Sequence, residues 1–129
     1  MSNAKAMVEL VAYRELAAAV SGATVYQDAP TGATGDLVIL GDLKSFSMGG
    51  KGASADRRVE INIVSLVTAE ERAPLLALQG QIEAALDGRT FTADGWTVAF
   101  VFKDDDAVLN EDGSSYSGIT AFDAIALAP

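Results

Sequence analysis

Residues 57–67 read Arg-Arg-Val-Glu-Ile-Asn-Ile-Val-Ser-Leu-Val, and this stretch decides the fold. Val59, Ile61, Ile63, Ser65 and Val67 fall on one side of an extended chain. Arg58, Glu60, Asn62, Val64 and Leu66 fall on the other. A period of two predicts a strand with one face on a core. Further along, Trp96, Val98, Phe100 and Phe102 alternate with Thr97, Ala99, Val101 and Lys103, and a last strand runs from Ser115 to about Leu127. Thr90-Phe91-Thr92 precedes the Trp96 strand across Ala93-Asp94-Gly95, which reads as a three-residue hairpin turn with Gly in the left-handed position. Towards the N-terminus, Leu37–Leu40 is an uninterrupted apolar run, the pattern of a strand covered on both faces. Thr24-Val25-Tyr26 is a shorter β-prone run.

Two segments have helical spacing. In Lys5–Val20 the apolar positions Met7, Leu10, Tyr13, Ala17 and Val20 recur, and Gly22 is a natural stop. The second helix begins with a capping box of Thr68 and Glu71, buries Leu75, Leu78, Ile82 and Leu86, and ends at Gly88. Pro74 lies inside it and predicts a bend or restart there. The order α-β-β-β-α-β-β predicts one α+β domain over residues 1–129. Its architecture is a mainly antiparallel sheet of about four to five strands with both helices on one face. Met1–Ala4 carry no part of this reading.

The chain has 129 residues, enough for one core but not two. Half are apolar, yet 23 are alanine, so the core is thin and rests on Val, Ile, Leu and five Phe. There is no Cys and no His, which removes Ser-His-Asp triads, Cys nucleophiles, zinc fingers, haem sites and disulfide frameworks. Eighteen acidic against nine basic residues give a net charge of −9 and argue against binding a phosphate backbone. No apolar run reaches the roughly 20 residues of a membrane span, and no signal-peptide core opens the chain. Neither a cofactor nor a metal is expected.

The motifs that suggest chemistry fail in detail. Gly50-Lys51-Gly52 lacks the Ser or Thr and the first glycine of a phosphate loop, and reads as a hairpin tip within the small, polar stretch Met48–Ser54. Asp104, Asp105, Asp106, Glu111 and Asp112 with Lys103 hold −4 of the net charge. They do not match an EF-hand, because Val108 and Leu109 occupy ligand places. This acidic connection reads as a solvated, self-repelling loop or a surface facing a partner. Glu60 and Asp123 could serve as a general acid only if apolar neighbours raised their pKa; otherwise they face water or pair with Arg57, Arg58 or Arg89. Gly118, inside the last strand next to Tyr116-Ser117, marks a bulge or a close backbone approach, and Tyr116 caps the core with its hydroxyl in water.

The ordered set of motifs resembles the small tail-completion (tail terminator) proteins of siphophages and prophages. It consists of Val25-Tyr26 and Pro30, Leu37–Gly41, a polar tip, Arg58–Ser65, the helix end Ile82–Leu86, and Tyr116–Phe122. The chain departs from that pattern at Asp36, Val64 and Pro74. The resemblance implies a non-enzymatic virion protein at the head-proximal end of the tail, assembled in the host cytoplasm. It implies a homo-oligomeric ring, typically a hexamer, that caps the tail tube protein and meets the head connector protein, with no sequence-specific nucleic acid and no membrane. Candidate subunit or partner contacts are Met48, Gly49, Gly50, Lys51, Arg57, Arg58, Tyr116 and Gly118. Asp104, Asp105, Asp106, Glu111 and Asp112 are the candidate acidic lumen or partner surface. The rival reading is an acidic protein-binding module, a DNA mimic or toxin-neutralising inhibitor, and a third is a small carboxylate-only enzyme.

Overall fold

A computed structural model describes residues 3–28, 30–49 and 54–129. The two strands with the strictest alternation are neighbours at the centre of the sheet. β3 (Arg57–Thr68) and β7 (Ser115–Leu127) run antiparallel, in register from Arg57 opposite Ala126 to Thr68 opposite Ser115. On the β3 side β2 (Leu37–Ser47) pairs antiparallel, and the short β1 (Thr24–Tyr26) adds parallel to it. On the other side β5 (Trp96–Asp105) pairs with β7, and β4 (Thr90–Ala93) forms the far edge. β6 (Val108–Leu109) continues the β5 border along the start of β7. Among the described residues the sheet therefore has seven strands in the order β1-β2-β3-β7-β5-β4, with β6 beside β7, rather than the four to five expected.

Both helices cover one face. α1 (Ala4–Ala19) and α2 (Ala73–Leu86) pack on each other and on the side carrying Val59, Ile61, Ile63, Phe100, Phe122 and Ala124, all fully buried. Three edge-on ring contacts, Phe91–Phe100, Phe100–Phe122 and Phe102–Phe122, at 6.0–6.3 Å, fill the β4–β5–β7 half of this core. Alanines at 124 and 126 of β7 stand opposite Phe100 and Val98, so small and large residues alternate across the strands.

Several expectations are corrected. The buried stripe of α1 is Ala4, Met7, Val8, Val11, Ala12 and Leu16, while Ala17 is exposed and Leu10, Tyr13 and Val20 are half-buried. Pro74 does not interrupt α2. It sits in the first turn, where its missing N–H costs nothing. The Thr68–Glu71 capping box does not form, because the N-cap is Arg72, without a side-chain bond. The β4–β5 hairpin has a two-residue turn, with Ala93 paired to Trp96 and both Asp94 (φ 51°) and Gly95 (φ 82°) left-handed. β2 continues seven residues past Leu40 because a bulge places Gly41 and Asp42 opposite Asn62. A Cβ at Gly41 would lie 3.0 Å from the Asn62 carbonyl, so the bulge favours glycine. Within Leu37–Leu40, Val38 and Leu40 are buried in the helix-covered core, while on the other face Leu37 is buried and Ile39 half-buried.

Candidate functional site

The helices cover one face of the sheet, and the two ends of the other face differ. Its middle is ionic. Arg58 Nη1 donates to Asp123 Oδ1 at 2.9 Å, and Lys103 Nζ donates to Glu60 Oε2 at 2.5 Å. Glu60 faces Asp123 across the β3–β7 pairing, so two cations hold two adjacent carboxylates. The hydrogen bond from Lys103 holds the Glu60 carboxyl below its usual range, and the same bond raises the Lys103 ammonium. Glu60 is therefore an ionised partner in an ion pair, not a general acid with a raised pKa, and Asp123 is tied to Arg58. Among the described residues no group of three acidic side chains is placed to hold a metal.

At one end of this face stands the acidic segment, which is more ordered than a solvated loop. Asp104 and Asp105 are the last residues of β5, beyond a bulge at Lys103. The Asp106 N–H donates to the Ile119 carbonyl, and the Ile119 N–H donates back to Asp106 Oδ1. Asp112 Oδ1 accepts from the Ser114 and Ser115 N–H groups and from the Ser115 hydroxyl; these bonds hold its carboxyl below its usual range. Glu111 is exposed beside it. Beside Asp106 lies a groove of about 240 Å³ lined by Val64, Val108, Ile119, Ser117, Asp106 and Gly118.

Gly118 is buried for the reason its position in a strand suggests. A Cβ there would run into the Gln79 amide and the Asp106 carbonyl. Gln79 Nε2 donates to that carbonyl at 2.5 Å, so a buried glutamine of α2 fastens the start of the acidic segment. Gln79 was missed by the sequence reading. Its signal was available: it lies four residues after Leu75 and three before Ile82, a polar residue on an apolar stripe. Tyr116 is half-buried on the helix-covered side, with the Arg72 guanidinium 5.3 Å over its ring.

The opposite end holds the other candidates. Met48 and Gly49 are exposed just past β2, and Arg57 opens β3 with its Nη1 donating to the Ser54 and Asp56 carbonyls. Arg58 and Lys44 lie over the Phe46 ring at 4.1 and 5.1 Å. A cleft of about 220 Å³ between α1 and this hairpin is lined by Lys5, Ser45 and Arg57 among others. Gly50 and Lys51 lie outside the described residues. The described candidates thus separate along the sheet, with Met48, Gly49 and Arg57 at the β2–β3 hairpin and Tyr116, Gly118 and the acidic segment at the other end.

No family model matches the chain, and no curated protein does. Among solved structures, a chain in the virion of a native gene transfer agent (GTA) particle is similar, with a TM-score of 0.79 and 22% identity. The likeness covers 97% of this chain and 98% of that one. What the two chains share is therefore this α+β fold over nearly their whole length. No described helix is long and apolar enough to cross a membrane.

Proposed function

We propose that this protein is a structural, non-enzymatic component of a phage-like virion, and within that class a ring-forming tail terminator. The observation that carries the reading is the near end-to-end likeness to a chain of a gene transfer agent virion. The ordered tail-terminator motifs coincide with β1, β2, β3, the end of α2 and β7 of the same fold. In this reading several copies, typically six, close on the head-proximal end of the tail tube and meet the head connector. Asp104, Asp105, Asp106, Glu111 and Asp112 would line the passage or the partner surface, where fixed negative charge keeps phosphate from adhering.

Native mass spectrometry at tens of micromolar, with electron microscopy of tail tubes mixed with the protein, tests this. Rings in solution or at tube ends are the expected result. A chain that stays monomeric and leaves tube ends bare would overturn it. A salt-sensitive one-to-one complex with a basic protein, without self-association, would favour the acidic binding module instead.

A further inference from the structure

Three aspartates in the chain are followed by glycine: Asp87-Gly88, Asp94-Gly95 and Asp112-Gly113. All six residues are exposed, so local sequence and solvent access give the pairs equal standing. Glycine after aspartate matters chemically, because its unshielded nitrogen can swing onto the carboxyl carbon of the residue before it. The structure separates the three pairs. After α2, the Gly88 N–H donates to the Phe100 carbonyl at 2.9 Å, and Asp87 Oδ1 accepts from the Phe102 N–H at 2.8 Å. Before β7, the Gly113 N–H donates to the Asn110 carbonyl at 3.0 Å. Asp112 there accepts from the Ser114 and Ser115 N–H groups and from the Ser115 hydroxyl. In both pairs the nucleophilic nitrogen and the electrophilic carboxyl are each held by another group.

At the β4–β5 turn neither is held. Among the described residues the Gly95 N–H donates to no carbonyl, and no donor or cation holds the Asp94 carboxylate. Asp94 is also the one described residue other than glycine in the left-handed region, with φ 51°, a conformation that L side chains rarely adopt. β4 has only four residues and forms the sheet edge, so the turn opens at small cost. A Cβ at Gly95 would lie 2.9 Å from Pro129 Cβ, so the packing requires the same glycine that bares the reactive nitrogen.

We propose that Asp94 is a site of spontaneous rearrangement to isoaspartate, and that the fold confines this chemistry to Asp94 among the three pairs. The Gly95 nitrogen attacks Cγ of the protonated Asp94 carboxyl. A bond forms between the two, the nitrogen gives up its proton, and one carboxyl oxygen departs as water. Water then adds back to the five-membered imide. Cleavage between the nitrogen and Cγ restores aspartate. Cleavage between the nitrogen and the main-chain carbonyl carbon leaves the chain running through Cγ, with the former main-chain carbon as a free carboxylate. Water is the only co-reactant. The product lengthens the chain by one methylene between Ala93 and Trp96, the pair that closes the hairpin. At Asp87 and Asp112 each group must first release its partner, and one ordinary hydrogen bond is a factor of about five in that equilibrium. With two groups held at each, isoaspartate in the folded chain should form roughly tenfold or more faster at Asp94. None of this depends on the virion reading.

The test ages the full chain for weeks in mildly acidic buffer below its melting temperature, beside a sample kept unfolded in urea. Peptide mapping by electron-transfer mass spectrometry distinguishes isoaspartate from aspartate at each site. Labelling by an isoaspartyl methyltransferase counts the total. The folded chain should carry isoaspartate at Asp94 and little at Asp87 or Asp112, whereas in urea the three should react at similar rates. Asp94→Gly, which suits a turn with both residues left-handed, should remove most of the label from the folded chain. Equal rates at the three sites of the folded chain, a faster rate at Asp87 or Asp112, or no isoaspartate at Asp94 would overturn the proposal. A preference for Asp94 that is just as large in urea would also overturn it, because the selection would then lie in the sequence and not in the turn.

Discussion

Replacing Gly118 by alanine tests the tightest contact in the molecule. In an ordinary strand this change stabilises by about 0.5–1 kcal/mol, because alanine has less backbone entropy to lose. Here the sign should reverse. The new methyl would enter the space of the Gln79 amide and of the Asp106 carbonyl. The amide could swing away, but its bond to Asp106 would then be lost. The carbonyl belongs to backbone tied to β7 through the reciprocal Asp106–Ile119 bonds and has little room to move. Overpacking of this kind costs about 1–3 kcal/mol, and a lost hydrogen bond adds about 1 kcal/mol. A net loss of about 2–3 kcal/mol, at roughly 3–4 °C per kcal/mol for a chain of this size, lowers Tm by about 6–12 °C. Differential scanning calorimetry reads this directly. Gln79→Ala should also destabilise, and the double variant should lose less than the sum, because removing the amide relieves half of the collision. An unchanged or higher Tm in Gly118→Ala would refute the close approach and with it the role given to Gln79.

Three further outcomes follow from the packing and the caps. Phe122→Ala, at a fully buried ring with edge-on partners on both sides, should cost about 3–5 kcal/mol in urea denaturation at unchanged secondary structure. Pro74→Ala should change stability by less than about 1 kcal/mol, because proline in the first turn breaks no helical bond. A gain near 3 kcal/mol would restore the idea of an interrupted helix. Asp112→Asn should lower Tm at pH 6, because the native bonds favour the carboxylate. A depressed folded pKa gives stability that is present above the ordinary value of 3.8 and lost as pH falls through the folded one. The gap between variant and wild type should therefore narrow below pH 3.8 in thermal melts, and a gap that widened in acid would contradict the assigned cap.

The elements legible in the sequence are those in which a single period runs unbroken. β3 and the Trp96–Phe102 part of β5 alternate without interruption, and their inward residues are the buried ones except for the half-buried Phe102. The stripe of α2 at Leu75, Leu78, Ile82 and Leu86 was equally plain. Periodicity failed where a local device breaks it. The bulge at Gly41–Asp42 shifts the phase of β2, hiding the second half of the strand and hence the place where Met48 emerges. In α1, the small residues Ala4 and Ala12 face the core where the helix lies against the sheet and other helix, and an eye on large side chains follows the wrong stripe. The acidic segment misled in a different way. Charge alone suggests a solvated loop, whereas the backbone of Asp104–Asp106 is paired to β7 and only the side chains face water. Both candidate ends were named from composition, but their separation along the sheet depended on strand order, which no local pattern contains.

That strand order also limits what can cover the uncovered face. Arg58–Asp123 and Lys103–Glu60 occupy its middle and are partly solvated, with side-chain exposures of 39%/35% and 45%/28%. A partner lying flat on the whole face would strip water from four charges, and the attraction within each pair offsets that loss only when the geometry is very good. Burial of the groove end costs less, because Val64, Val108 and Ile119 lose apolar area and Asp106 is the one carboxylate in the lining. The ionic middle therefore keeps two sheets from stacking face to face and leaves the ends as the places where a neighbour gains by docking. In a chain with helices on only one side, this division gives the open face of the sheet two chemically different ends.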